Sequence, residues 1–307
     1  MPNLQIDELP RVRRALLAWH RRRGMLAPWR ESGEPYHALV AAVMAQQTQM
    51  SRVMHSYDRF IAAFPTIDAL ASASPAEVIR AWAGMGYNQR AVRLHRAARQ
   101  IAASGWPRTA EGLVRIDGIG PFTAAIIASF AFGEPAACVD TNVRRVLGRL
   151  AGDESIDGRR LQLLADAAMS RRAPARWNQA LMDYGARVCT VRPRCGECVV
   201  AAWCPSRERY ARPATRVAEE RATYTAKPPR SKSPRRPFEE SARYYRGRIV
   251  DVLRQLPPGT TVRIDELPRL IANGRAAPSA AATRELVAAL ERAGLATVRD
   301  GAASLPE

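Results

Sequence analysis

Residues 115–132 read RIDGIGPFTAAIIASFAF and contain the pattern that is most informative about the fold. Gly118 and Gly120 flank Ile119 between two segments whose apolar residues have helical spacing. Glycine at both ends of the link permits a tight turn with exposed backbone N–H groups. The helix that begins at Pro121 then offers its N-terminus to an anion such as a phosphate.

Two helices joined by such a link make a helix-hairpin-helix, a motif that grips phosphate without reading base sequence. The following stretch CVDTNVRRVLGRL, residues 138–150, places Asp140 directly ahead of an arginine-rich helix. Aspartate at this position is by default a helix N-cap. Because Thr141 and Asn142 offer other capping groups, Asp140 can instead be free for chemistry.

The surrounding sequence predicts an all-α fold. Ala, Leu, Ile and Val recur at helical spacing through residues 1–205, and no alternating strand pattern is evident. Ser74, Pro75 and Glu77 form the pattern of a capping box. The predicted helices cover 5–22, 36–63, 75–84, 88–103, 121–132, 140–150, 159–170 and 176–186.

The last third of the chain divides into a linker and a small module. Residues 206–237 are rich in Pro, Ser and Arg, which predicts a flexible linker that either lies along phosphates or makes no contacts. Residues 238–307 predict two helices, a longer helix and a short hairpin across Asp300-Gly301. That order resembles a winged helix, which can contact DNA, contact another protein or serve structure alone.

Composition points to a polyanionic partner. The 307 residues include 47 Lys and Arg against 29 Asp and Glu, a formal net charge of +18. Nucleic acid is the simplest partner for such an excess, and an ordinary basic surface is the alternative. Because the sequence has no long apolar run and no secretory signal, we expect no membrane contact and a cytoplasmic, nucleoid-associated protein.

Four of the five cysteines are clustered. Cys189, Cys195, Cys198 and Cys204 follow the spacing C-x5-C-x2-C-x5-C. Without an export signal, such a cluster favours metal over disulfides, and either a [4Fe–4S] cluster or a tetrahedral zinc suits four thiolates. Unligated buried thiols are the alternative, and the isolated Cys138 is interpreted as a core residue.

Several motifs together resemble a known family. The order LVAAVMAQQTQ (39–49), GMGYNQRA (84–91), DGIGPFTAA (117–125), VDTNVRRV (139–146) and LMDYGARVC (181–189), followed by the cysteines, resembles the helix-hairpin-helix DNA glycosylases. The resemblance covers roughly residues 10–205. It is nearest to the MutY-type adenine glycosylases and the mismatch thymine glycosylases. It implies an all-α, two-lobed fold that binds duplex DNA with a damaged or mismatched base and acts as a monomer.

The resemblance also implies roles for single residues. Asp140 matches the catalytic aspartate, and Asn142 matches the polar residue that supports it. Gly118, Ile119 and Gly120 match the phosphate-gripping hairpin. The four cysteines match the ligands of a [4Fe–4S] cluster.

Further positions match residues that meet the DNA. Gln46 and Gln47 match the pair that fills the space left by the flipped base, and ordinary helix-surface residues are the alternative. Tyr87 matches a wedge that enters the duplex. Trp29 and Arg30, in APWR, match the wall of the base pocket. Plain core aromatics are the alternative for Trp29 and Tyr87.

Three positions depart from the family pattern. Ala42 replaces the glutamate that protonates adenine in a pattern like S-E-V-M-L-Q-Q-T. Phe122 replaces the Tyr or Ser of that branch and the Lys of the bifunctional enzymes, so we expect no Schiff base and no strand-cutting lyase activity. The first cysteine interval is one residue shorter than usual. In addition, the family's C-terminal domain that reads 8-oxoguanine is not evident after residue 205.

These departures suggest the chemistry. Loss of the general acid costs about 10²–10⁴ in rate for adenine, whereas uracil, thymine and hypoxanthine leave more readily as anions. We therefore expect a monofunctional DNA N-glycosylase of base excision repair with base choice altered from adenine. A catalytically weakened protein that binds lesions is the first alternative. A zinc-bearing winged-helix regulator is the second.

Overall fold

The computed structural model describes residues 8–211, 238–272, 274 and 277–307. Its regular structure up to residue 205 is helical throughout this described part, as predicted. The α-helices, in chain order, are α1 (Leu9–Arg23), α2 (Pro28–Glu31), α3 (Pro35–Ala45), α4 (Met50–Ala63), α5 (Ile67–Ser72), α6 (Pro75–Ala81), α7 (Gln89–Ser104), α8 (Ala110–Val114), α9 (Pro121–Ala131), α10 (Thr141–Leu150), α11 (Gly158–Ala168) and α12 (Pro174–Arg187). None of the described helices is both long and apolar enough to cross a bilayer.

The described residues group into two compact units, of which the first contains residues 8–39, 107–115 and 119–211. Its core is built by the apolar faces of α1, α10, α11 and α12, where Leu16 and Leu161 are fully buried. The ring of Trp19 packs edge-on against Tyr184, with ring centroids 4.9 Å apart. Because α12 lies against both α1 and α10, it can position side chains of either helix.

The second unit contains residues 40–106, 116–118 and the described part of 238–307. Phe60 and Trp82 are fully buried, with ring centroids 5.7 Å apart at nearly a right angle. A further apolar cluster joins Ala76 and Ile79 of α6 to C-terminal residues such as Leu253. The C-terminal residues therefore share part of their core with α6.

The prediction of one helix over residues 36–63 is wrong. The chain breaks there into α3 and α4, and Gln47 takes a left-handed conformation with φ of 52°. Neither glycine nor proline marks this break in the sequence. The carbonyl groups at the end of α3 instead accept hydrogen bonds from Arg90 on α7.

Local capping signals account for several other boundaries. The predicted capping box is confirmed, because Ser74 N–H donates to Glu77 Oε2 at 2.7 Å and Glu77 N–H donates to Ser74 Oγ at 3.3 Å. The short helices α2, α5 and α8 were not predicted. Helices α5 and α8 each begin at a threonine N-cap, Thr66 or Thr109, whose side chain accepts a backbone hydrogen bond.

The described C-terminal residues form helices and a three-stranded sheet, and their assignment to a winged-helix-like module stays a prediction. After the short helix α13 (Arg207–Ala211), the elements are α14 (Ala242–Gln255), β1 (Val262–Arg263), α15 (Leu267–Ala272), α16 (Ala280–Arg292), β2 (Thr297–Arg299) and β3 (Ala302–Ser304). The antiparallel sheet has the order β1-β3-β2. The hairpin across Asp300 and Gly301 is confirmed, with φ of 50° and 73°. Strand β1 was not predicted.

The predicted linker needs one correction. Its first residues form α13, where the Tyr210 hydroxyl lies 2.7 Å from Glu154 Oε1. Arg149 NH2 also donates to this hydroxyl at 3.1 Å, so packing against α10 orders a stretch whose composition predicts a loop. Residues 212–237 lie outside the described part of the chain.

Candidate active site

Asp140 stands at the N-terminus of α10 with both carboxylate oxygens engaged. Its Oδ1 accepts a hydrogen bond from the Val143 N–H at 2.7 Å, and its Oδ2 accepts one from Asn142 Nδ2 at 3.1 Å. The N-cap interpretation is thus confirmed. The residue is only partly buried, so the bonds fix the carboxylate in one orientation without removing it from the surface.

The backbone leading to Asp140 is fixed by a buried amide on α12. Asn178 Oδ1 accepts a hydrogen bond from the Cys138 N–H at 3.1 Å, and its Nδ2 donates to Ala136 O at 2.9 Å and to Ser129 Oγ at 3.0 Å. Asn178 is 1 % exposed, so its loss would leave several buried polar groups without partners. This role could not be predicted from the sequence, because Asn178 lies in no motif.

A chain of hydrogen bonds connects Asp140 to the first cysteine. Asn142 accepts from Arg145 NH2 at 2.7 Å, and Arg145 Nε donates to Cys189 O at 2.7 Å. Helix α12 can approach Asn142 closely because it carries Gly185, where a Cβ would lie 2.6 Å from Asn142 Cβ. The support that the family resemblance implies for Asn142 thus has a geometric basis, and Arg145 extends it.

Only one of the two hairpin positions has a backbone conformation that requires glycine. Gly118 has φ of 88°, and a Cβ there would lie 3.0 Å from Arg93 O. Gly120 is the N-cap of α9, with φ of −82° and open space around it. Other residues can therefore occupy this position without strain. Ile119 between them is buried. Phe122, in the first turn of α9, is half-buried.

Two residues predicted to enter DNA have strained backbones. Among the described residues, the only non-glycine residues with positive φ are Gln47 (52°), Tyr87 (45°) and Asp300 (50°). Gln47 is exposed, and the side chain of Tyr87 is 41 % exposed. Gln46 is half-buried. Strain of this kind clusters at functional sites, which supports a role for both turns beyond connection.

Arg90 on α7 ties these two turns together. Its NH1 donates to the carbonyls of Val43, Met44 and Gln46 at 3.0, 2.8 and 2.7 Å. Its NH2 donates to Thr48 Oγ1 at 3.1 Å and to the carbonyls of Met85 and Gly86 at 3.1 and 3.2 Å. Burial lowers the pKa of Arg90 to about 10, so it stays charged at neutral pH. This residue was not identified from sequence.

Replacing Arg90 with alanine should lower the free energy of unfolding by about 3 kcal/mol, because several buried carbonyls lose their donor. Chemical denaturation measures the change. Arg93→Ala is the matched control, since Arg93 is an exposed arginine on the same helix. Equal stability of the two variants would contradict the assigned role of Arg90.

The predicted pocket residues Trp29 and Arg30 lie on α2. Trp29 is 7 % exposed. The Arg30 guanidinium makes a bidentate pair with Asp183, with NH1 to Oδ2 at 2.8 Å and NH2 to Oδ1 at 2.9 Å. Burial alone would raise the pKa of Asp183, but contacts with His20 and Arg30 hold that pKa well below its ordinary range. Contact of Trp29 and Arg30 with a base stays a prediction.

Ala42 lies on α3 and is 7 % exposed. Residues 38–44 of this helix are all apolar. No other residue of this stretch therefore supplies the carboxyl group of the glutamate that Ala42 replaces.

All four clustered cysteines line one small pocket. Tyr184 hydroxyl donates to Cys198 Sγ at 3.1 Å, and Arg149 NH1 lies 3.5 Å from Cys189 Sγ. Burial and the neighbouring thiols raise the pKa of Cys204 to about 11. Among the described residues, no three Cys, His, Asp or Glu side chains stand where they could hold a single metal ion. Cys138 is buried away from this pocket, as predicted for a core residue.

The cysteine loop also borders an open basic cavity of about 1120 Å³. Arg149 fixes the loop backbone by donating to Thr190 O at 2.7 Å. The cavity lies beside the C-terminal ends of α1 and α12, and its lining residues are Trp19, Arg22, Arg23, Arg187, Val188, Arg194 and Glu197. Four arginines around one open surface suit a phosphate backbone.

Comparison with known proteins identifies relatives. Residues 40–165 match the HhH-GPD superfamily of base excision DNA repair proteins. The matched stretch contains Asp140, the hairpin and both strained turns. The adenine DNA glycosylase of Mycobacterium tuberculosis is 38 % identical over 264 residues, which cover 81 % of each chain. The human adenine DNA glycosylase is 37 % identical over 222 residues, which cover 66 % of this chain and 41 % of the human protein.

Solved structures agree with this fold. A thermostable thymine-DNA glycosylase has a TM-score of 0.63 and 26 % identity, covering 66 % of this chain and 98 % of its own. An endonuclease III trapped on DNA has a TM-score of 0.57 at 20 % identity, a likeness of fold.

Proposed function

This chain belongs to the HhH-GPD superfamily of base excision DNA repair proteins, beside the adenine DNA glycosylases, and we propose that it releases bases other than adenine. As a DNA glycosylase it is a hydrolase of N-glycosyl bonds. One observation carries the proposed base choice: the chain keeps a carboxylate at position 140 and has a methyl group at position 42. The reaction then depends on how well the base leaves without a proton.

Asp140 is the proposed catalytic residue. As the N-glycosidic bond breaks, positive charge builds on the deoxyribose, and a fixed carboxylate stabilises that charge without reorganising. The bonds from Val143 and Asn142 provide this fixed orientation. The same carboxylate can place the attacking water.

Ala42 sets the proposed base choice. Adenine is a poor anion, and its departure needs a proton that an alanine cannot donate. Uracil, thymine and hypoxanthine leave as anions stabilised by hydrogen bonds. Phe122 can stack on a base but has no hydroxyl or amine, which favours a monofunctional enzyme over one that forms a Schiff base.

We propose that the four cysteines bind a [4Fe–4S] cluster, the group that the family resemblance implies, and a tetrahedral zinc is the alternative. The four thiols that such a cluster needs all line one pocket. Such a group would stiffen the loop that carries the exposed Arg192 and Arg194 toward phosphates.

The cofactor has a direct test. Protein purified without oxygen should be brown and contain iron, and Cys198→Ser should lose that colour. Elemental analysis of the full chain measures both metals. Zinc in place of iron would overturn the assignment.

The binding partner is proposed to be duplex DNA with a damaged or mismatched base. The arginines around the basic cavity neutralise phosphates, so affinity should fall steeply as salt rises. Mismatched sites are favoured because a weakly paired base costs less to extrude.

One observation favours a second candidate, a protein that binds lesions without cutting. Both oxygens of Asp140 already accept hydrogen bonds, and Ala42 and Phe122 lack the groups that assist catalysis elsewhere. A duplex panel separates the two. The protein with its cofactor is incubated with duplexes carrying uracil, thymine, hypoxanthine or adenine, and free base is measured by chromatography. Release of none of them would reject the enzyme and leave the binding protein.

A further inference from the structure

The C-terminal module is attached to the turn that carries Tyr87. Arg254 on α14 has a side chain only 8 % exposed. Its Nε donates to Ile79 O at 2.9 Å, and its NH2 donates to Asn88 Oδ1 at 2.8 Å. Asp251 balances the charge at 2.9 Å from NH1. The residue that follows Tyr87 is therefore held by the module.

The apolar contacts reinforce this attachment. Ile249, Val250 and Leu253 on α14 are fully buried in the cluster that contains Ala76 and Ile79 of α6. Arg80 NH2 also donates to Leu256 O at 3.3 Å. A shared core of this kind packs α14 firmly against α6.

Arg243, near the N-terminal end of α14, lies on the Tyr87 ring. Its guanidinium carbon is 3.8 Å from the ring centroid, which is a close cation–π contact. Both residues are exposed, and the exposed Phe238 lies 5.8 Å from the same guanidinium. The Arg90 guanidinium carbon also lies 5.5 Å from this ring centroid, so the Arg243 contact is the closer of two that restrict where the ring points.

We propose that the C-terminal module positions Tyr87 for entry into the duplex, with Arg243 as the positioning residue. The inference takes Tyr87 as the residue that enters DNA, as the family resemblance implies, and it rests on the proposed function in taking a lesion duplex as the partner. The backbone at Tyr87 is already fixed by its left-handed conformation and by Arg90. The stacked Arg243 guanidinium also holds the Tyr87 side chain in one orientation. Less conformational freedom is therefore lost when the lesion is bound.

The test measures entry of Tyr87 without requiring base release. Full-length protein is titrated into a duplex that carries a tetrahydrofuran abasic analogue next to 2-aminopurine, and the same duplex without the analogue is the reference. The fluorescence change reports unstacking, and the two dissociation constants give a preference for the lesion. Arg243→Ala should reduce that preference by about threefold and diminish the fluorescence change. Arg246→Ala, which removes an exposed arginine of the same helix, should leave both unchanged.

A double-mutant cycle distinguishes positioning from direct contact with DNA. If Arg243 acts through the ring, Arg243→Ala has no further effect on lesion preference in a Tyr87→Ala background. An equal loss in both backgrounds, no loss in either, or a wild type whose fluorescence does not respond would overturn the proposal. Unchanged melting temperatures exclude loss of folding. The expected fluorescence together with no base release from any duplex would reject the proposed function and leave this inference standing.

Discussion

Replacing Asp140 with asparagine is expected to abolish base release, by at least about a thousandfold, while leaving affinity for lesion duplexes nearly intact. The amide keeps a side-chain oxygen that can accept from the Val143 N–H, so the helix cap survives. It loses the negative charge that stabilises the developing positive charge on the sugar. Single-turnover release of the base that the wild type excises fastest measures the loss.

A second aspartate in the chain provides the matched control. Asp157 caps α11 by accepting from the Arg160 N–H at 3.0 Å, and it is exposed. Asp157→Asn makes the same chemical change at the N-cap of a different helix and should leave base release unaffected. If Asp140→Asn retained activity, or if both variants lost it equally, the catalytic role of Asp140 would be refuted.

Replacing Ala42 with glutamate should increase adenine release by about 10²–10⁴-fold, because a carboxylic acid at that position can protonate the leaving base. Release of uracil should change much less, since uracil leaves as an anion. Time courses with adenine and uracil duplexes under single-turnover conditions measure both rates.

Ala42→Gln separates proton donation from the effect of side-chain size. Ala42 is buried, so both longer side chains strain the site and should reduce stability by similar amounts. Only glutamate carries an acidic proton. A gain in adenine release with glutamine as well would show that proton donation is not the cause. No gain with a folded Ala42→Glu variant would show that base choice does not depend on this position.

The sequence predicted features that are encoded locally. The capping box at Ser74, the hairpin across Asp300-Gly301 and the helix N-cap at Asp140 each depend on residues within a few positions of one another. The grouping of the four cysteines around one pocket also follows from their spacing. The family resemblance added the superfamily and the enzyme class, which relatives with high coverage confirm.

The sequence could not predict features that depend on distant contacts. The break between α3 and α4 carries no glycine or proline, and its buried carbonyls accept hydrogen bonds from Arg90, more than forty positions away. The motif APWR around Arg30 does not indicate that Arg30 pairs with Asp183 on α12. Helix α13 forms within a stretch of linker-like composition because Tyr210 reaches Glu154 and Arg149.

The ratio of uracil to adenine release by the wild-type protein shows whether a base leaves this site without a proton donor. Duplexes that differ only in the target base, each paired with guanine, are incubated with excess protein that carries its cofactor, and single-turnover rates are compared. Catalysis by Asp140 with no acid at position 42 predicts that uracil is released faster than adenine. Faster release of adenine would contradict the account.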